Sequence, residues 1–225
     1  MAQDQVPSLP KSSSNSNVKG CVIGCAIVFI VGAIGAGVVG YGLFRGVSGF
    51  MEAMTETEPR PIPEVTMTDE EATAVSEKLE AFKTALNSGD SAEKEFSLTG
   101  QEVNVLIRSD DTAKVFGDSV YVTIEGGEMK GEMSLRLGDL LPVAFLENRY
   151  LNGAATFSVS AQDGRLYIYV EELKIKGETA PDSIMDQLRQ ENFAAEMMKK
   201  PDFEGTMAKI ESVEVVDDRL VVRLK

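Results

Sequence analysis

Gly35-Ala-Gly37-Val-Val-Gly40 has the G-x-G-x-x-G spacing that lets a backbone approach a dinucleotide pyrophosphate, and apolar residues precede it as a buried first strand would. That chemistry also needs an amphipathic helix after the glycines and an acidic residue about 20 positions on. Gly42, Gly46, Pro59, Pro61 and Pro63 follow instead, and residues of those types break a crossover helix. No alternating strand–helix pattern comes later to supply a parallel sheet. The glycines therefore call for another explanation.

Ser91-Ala-Glu-Lys94 fits the S-x-x-K of penicillin-recognising enzymes, but the companion S-D-N and K-T-G motifs are missing. The acidic pairs Asp110-Asp111, Glu171-Glu172 and Asp217-Asp218 have the side chains a glycosidase uses, and each falls where a turn or bulge is expected. Histidine is absent from the chain, which removes His-based acid–base catalysis and the Ser-His and Cys-His nucleophiles. No calcium loop or phosphate loop motif occurs. Cys21 and Cys25 are the only thiols; they read as two small apolar side chains in a helix, with acylation or an intermolecular disulfide as alternatives. The sequence thus predicts no catalytic residues, no metal site and no cofactor.

Residues 21–44 carry no charge and are mostly apolar, between Lys19 and Arg45. About 20 such residues span a bilayer, and in hydrocarbon the run must be helical so that each backbone group is bonded internally. The expected span covers residues 20–45. Within it Gly32, Ala36 and Gly40 recur every fourth residue, a small-residue row on which two helix backbones can approach. Glycine is also simply common in spanning helices.

Residues 1–20 contribute +1 and residues 21–50 another +1 to a net charge of −14, which leaves −16 for residues 51–225. Such an acidic domain argues against nucleic acid as a partner and against lying flat on anionic lipid. Lys11 and Lys19 precede the span; Arg45, and Arg60 farther on, follow it. The short polar tail before a long apolar run resembles a signal anchor, which puts the N-terminus in the cytoplasm and the bulk of the chain outside.

The remaining elements follow from periodicity. Residues 1–19 are Ser/Asn-rich and predicted disordered, and residues 46–66 read as an extended stalk. Residues 67–225 form the expected α+β domain. Thr68-Asp-Glu-Glu71 is a capping box opening a helix that ends at Asn87-Ser-Gly89, and Thr99-Gly-Gln-Glu102 is a second box after a short strand at 95–98. Strict alternation from Met129 to Leu137, hairpin signals at Gly126-Gly127 and Asp163-Gly164, and a phase shift at Glu171-Glu172 predict an antiparallel meander with one bulge. Pro181 should open a helix through Leu188, with a break near Asn192 and a stop at Pro201; Asp217-Asp218 should turn a closing hairpin. Helices near both ends would then pack one meander sheet.

The stretches FSLTGQEVNVLIR (96–108), RYLNGAATFSVSAQDGRLYIYVEELKIKG (149–177) and IESVEVVDDRL (210–220) resemble uncharacterised single-pass bacterial envelope proteins of a verrucomicrobial and planctomycete type. The plan of anchor, helix, a T-x-x-x-x-N helix and a long meander is more loosely similar to the YpmS-like and LmeA-like families. The looser resemblance implies lipid handling, and neither resemblance assigns a functional residue.

One feature points to binding. Tyr167 and Tyr169 lie on the face of their strand opposite Leu166, Ile168 and Val170, so both faces should be covered. Met185, Met197, Met198 and Met207 sit in or near the C-terminal helices, where soft side chains suit either an adaptable groove or ordinary core. Tyr167, Tyr169, Met197 and Met198 are the candidate contacts for an apolar ligand. The reading is a membrane-anchored binding module, its partners the bilayer and a lipid or envelope protein; the alternative is a scaffold self-associating through the span. Replacing Gly32, Ala36 and Gly40 by isoleucine should abolish cross-linkable oligomers in membranes, and oligomers that persist would count against the glycine row.

Overall fold

A computed structural model describes residues 54–88, 94–109, 118–140 and 146–225. Both capping boxes close. Thr68 N–H donates to Glu71 Oε2 (2.8 Å) and Glu71 N–H to Thr68 Oγ1 (3.2 Å), which starts α1 (Asp69–Ser88). The second box repeats this at Thr99 and Glu102 (2.7 and 3.2 Å) between β1 (Glu95–Thr99) and α2 (Gly100–Ser109). Helix α1 buries Val75 and Phe82, and the Phe82 ring stacks on Phe96 of β1 with centroids 4.6 Å apart.

The meander forms as the alternation predicts. β2 (Val120–Glu125), β3 (Glu128–Arg136), β4 (Tyr150–Gln162), β5 (Arg165–Ile175) and β6 (Glu178–Thr179) make one antiparallel sheet in chain order. Gly126 and Gly127 both take positive φ (63° and 76°), the geometry of a tight hairpin turn that matches strand twist. Thr156 faces Glu172 while Phe157 faces Val170, so Glu171 is the extra residue of the bulge.

Three expectations need correction. The strands do not make a single sheet: β7 (Ile210–Val216) and β8 (Arg219–Leu224) join β1 in a second sheet, ordered β1-β8-β7, with Leu98 opposite Leu220. Leu137 does not extend β3; it opens a short helix, α3 (Leu137–Leu140), and is fully buried there. A further helix lies past Pro201: α4 (Asp182–Leu188) and α5 (Ala195–Met198) flank the predicted break at Asn192 and α5 ends before Pro201 as expected, but α6 (Pro201–Met207) then follows with Pro201 in its first turn, where a missing N–H costs nothing. The two sheets meet where β7 packs against β4, and Asp218 Oδ1 accepts a hydrogen bond from Gly126 N–H (2.7 Å), pinning the two hairpin turns together. Helices α4, α5 and α6 pack against β5, and α2 against β2, around one hydrophobic core.

Side-chain amides engage the open edges of β2 and β5 in the five-stranded sheet. Asn104 of α2 is fully buried; its Oδ1 accepts from Val122 N–H (2.7 Å) and its Nδ2 donates to the Val122 and Gly100 carbonyls (2.7 and 2.8 Å). The amide replaces a neighbouring strand on β2. So closely does α2 approach that a Cβ on Gly100 would lie 3.0 Å from Val122 O. On β5, Asn192 does the same: its Oδ1 accepts from Ile168 N–H and its Nδ2 donates to Leu166 O, both at 3.0 Å, and Phe193 N–H adds a bond to Ile168 O (2.9 Å).

At the start of β4 the partner is the segment before α1. Residues of the predicted stalk lie on the domain rather than standing off it: Met54 and Thr55 are buried, and Glu56 exchanges backbone bonds with Tyr150 (2.9 and 2.8 Å). Among the described residues no helix is long and apolar enough to cross a membrane; the expected span, with Gly32, Ala36 and Gly40, lies outside them, as do the N-terminal tail, Ser91 and Asp110-Asp111. Asn104→Ala should lower the unfolding free energy by roughly 2–4 kcal/mol, the penalty for stranding the buried Val122 N–H and C=O. Urea titration followed by circular dichroism checks this; a loss under 1 kcal/mol would mean water replaces the amide.

Candidate functional site

The Asp163-Gly164 turn brings the end of the β4–β5 hairpin beside α5 and α6. A groove of about 480 Å³ opens there, lined among others by Asp163, Arg165, Tyr167, Met198, Glu204 and Lys225. Turn chemistry places Asp163, at φ 53°, and alternation along β5 puts Arg165 and Tyr167 on the face away from Leu166 and Ile168. Asn192 also lines the groove, so the residue that closes the β5 edge fixes the wall from which Ala195 and Met198 rise.

The predicted contacts separate. Tyr167 and Met198 are both half-buried and meet in the groove. Tyr169 stands one step along the same face, its ring 6.4 Å from that of Tyr167 and within 15° of parallel, but it does not line the groove. Met197 points into the core at 2% exposure, together with Met185 and Met207, so three of the four methionines are packing residues. The outer face of β5 is only partly covered. Tyr167 and Tyr169 sit opposite Ser160 and Ser158, which are exposed.

Sequence reasoning missed Arg165, Glu204 and Lys225, and it read Asp163 only as turn chemistry. Arg165 follows a turn and reads as a solvated strand end; Glu204 lies on a helix that Pro201 concealed. Lys225 Nζ is held by Ala208 O (2.7 Å) and Lys199 pairs with Glu196. The Asp163 and Glu204 carboxylates, the Arg165 guanidinium and the Tyr167 hydroxyl make no hydrogen bond or ion pair with another of the described residues. They present free acceptors and donors to whatever enters. Asp163 and Glu204 are both exposed, whereas a general acid of the glycosidase kind sits in a desolvating pocket. Among the described residues no group of three or more His, Cys, Asp or Glu is placed to hold a metal ion.

A second concavity, of about 450 Å³, lies where residues 55–60 cross the sheet. Asn152 of β4 is fully buried at its base. Its Nδ2 donates to Glu56 Oε2 (2.7 Å) and Glu58 O (2.8 Å), and its Oδ1 accepts from Arg60 N–H (3.2 Å) and Ser134 Oγ (2.7 Å). Arg149 Nε donates to Thr55 Oγ1 (2.8 Å), and Arg60 Nε lies 3.3 Å from Glu56 Oε2. The bond from Asn152 holds the Glu56 carboxyl below its ordinary value of 4.5; partial burial opposes this, and Arg60 reinforces it.

Elsewhere, burial pushes Glu102 up, but the Thr99 N–H and the Lys78 ammonium at 3.0 Å outweigh it and leave that carboxyl below 4.5 as well, tying α1 to α2. No family model matches the chain, and neither a curated protein nor a solved structure matches it.

A carboxyl depressed in the folded state stabilises it above the unfolded value and loses that contribution as pH falls through the folded value. The Glu56 contact should therefore hold at neutral pH and fail on acidification below 4.5. Carboxyl-detected NMR titration should give Glu56 a midpoint under 4.5, with the Tyr150 and Arg60 amides shifting together with it. A midpoint at or above 4.5 would contradict the contact with Asn152.

Proposed function

We propose that the chain is a membrane-anchored, extracytoplasmic binding module with no catalytic activity, whose ligand enters the groove at the tip of the β4–β5 hairpin. The observation that carries this reading is the groove itself: an aromatic ring and a thioether, Tyr167 and Met198, beside four hydrogen-bonding groups that no other described residue engages. Small-ligand sites combine apolar walls with a few convergent polar groups in this way, and about 480 Å³ lies within their usual range of roughly 300–1,000 Å³.

The anchor rests on the uncharged run at residues 21–44, the placement of the domain outside the cytoplasm on the polar tail that precedes it, and the bacterial inner membrane on the resemblance to bacterial envelope proteins. Burial of Met54 and Thr55 and the backbone pairing of Glu56 with Tyr150 fix the domain's N-terminal end within ten residues of the expected span. An acyl-chain ligand fits less well. The described interior is filled by packed side chains, and the groove is rimmed by charged residues of both signs. For a scaffold, Gly32, Ala36 and Gly40 remain the expected self-association row, while β2 at Val122 and β5 at Leu166 and Ile168 already have edge partners.

Native mass spectrometry of the full chain, extracted with its own lipids and released from detergent in the instrument, tests this. A small-molecule adduct should appear on the wild type and be lost in Tyr167→Ala. An adduct that survives that substitution, or none at all, would contradict the reading.

A further inference from the structure

The groove and the tyrosine face beside it share one ligand chemistry. Charges of both signs converge on the groove: Asp163 and Glu204 against Arg165, Lys199 and Lys225. A single anion would meet two carboxylates there, and an acyl chain would leave all five charged groups stripped of water. A neutral molecule rich in hydroxyls satisfies both kinds of group, because each hydroxyl donates to a carboxylate and accepts from a guanidinium or ammonium. Such bonds need no net charge to be buried.

The apolar part of the lining narrows the class further. Tyr167 offers an aromatic ring, half-buried and therefore held, with its hydroxyl free of protein partners among the described residues. A ring of that kind suits a ligand with one flat C–H face and a polar rim. Tyr169 repeats the platform one step along β5, nearly parallel at 6.4 Å, and the exposed Ser158 and Ser160 lie opposite the two tyrosines on β4. Ser158 is already oriented, donating to Glu171 Oε1 (2.7 Å) at the bulge.

We infer that the groove and the Tyr167–Tyr169 face bind a saccharide, one sugar ring in the groove against Tyr167 and the next running towards Tyr169. This inference rests on the binding-module reading and names its ligand class. Two consecutive platforms favour an oligosaccharide over a monosaccharide. The free carboxylates of Asp163 and Glu204 are then acceptors for sugar hydroxyls.

The test uses the full chain in lauryldimethylamine oxide micelles, a detergent without a sugar headgroup, titrated with cellotriose and tri-N-acetylchitotriose under saturation-transfer-difference NMR. At least one trisaccharide should bind saturably and more tightly than its monosaccharide. Tyr167→Ala should weaken binding about tenfold, the scale of a lost aromatic platform, while Tyr167→Phe, which keeps the ring, should stay within about threefold. Circular dichroism confirms that both variants fold. Parallel titrations use inorganic phosphate and dihexanoylphosphatidylglycerol. No binding by either trisaccharide, or binding indifferent to Tyr167→Ala, overturns the inference. Tyr167-dependent binding of phosphate or of the short-chain lipid alone overturns it and leaves the binding-module reading standing. Silence from every probe overturns both.

Discussion

An antiparallel sheet leaves a row of N–H and C=O groups on each outer strand, and those groups must find water, another chain or a surrogate. In this molecule three asparagines are central to that closure. Asn104 serves β2, Asn192 serves β5, and Asn152 holds down the segment that pairs with the start of β4. A carboxamide suits the task because it carries one acceptor and two donors at the spacing of a peptide group. Each bond is worth only about 1 kcal/mol when made, yet a buried partner left without it loses up to about 3 kcal/mol. The closure therefore acts mainly against fraying and against edge-to-edge association.

Closing the edges decides where the molecule can recognise anything. Pairing by strand addition is blocked along β2 at Val122 and along β5 at Leu166 and Ile168. The tip of the β4–β5 hairpin stays open, and there the closure on β5 also builds one wall of the groove. The bulge at Glu171 contributes as well. It shifts the register so that Glu171 meets Ser158 on the face that carries Tyr169. Structure and candidate site thus use the same few residues.

Much of the fold was legible because its signals are local. Capping boxes, two-residue turns and the change of phase at Glu171-Glu172 are each decided within a few residues, and each forms as read. Pairing across the chain was not legible: β1 joins β8 more than a hundred positions away, so one meander was expected where two sheets exist. Pro201 marked the end of α5 but hid α6, because proline can end one helix and open the next, and only tertiary contacts decide whether the second forms. The edge-closing asparagines carry no sequence signature at all, since their partners lie 18 to 96 positions away. Tyr167 and Met198 were found from type and spacing, while Met197, one residue from Met198, is packing, a distinction that the phase of a four-residue helix decides.

Backbone amide exchange reads the closure of those edges most directly. The N–H groups of Val122, Ile168 and Tyr150 all point away from their neighbouring strands, into Asn104, Asn192 and the Glu56 carbonyl. Hydrogen-exchange NMR on the full chain should find these three amides as slow as those inside the β3–β4 ladder. Rates like those of exposed loop amides would show the edges open to water, and the picture of a sheet sealed by its own asparagines would be wrong.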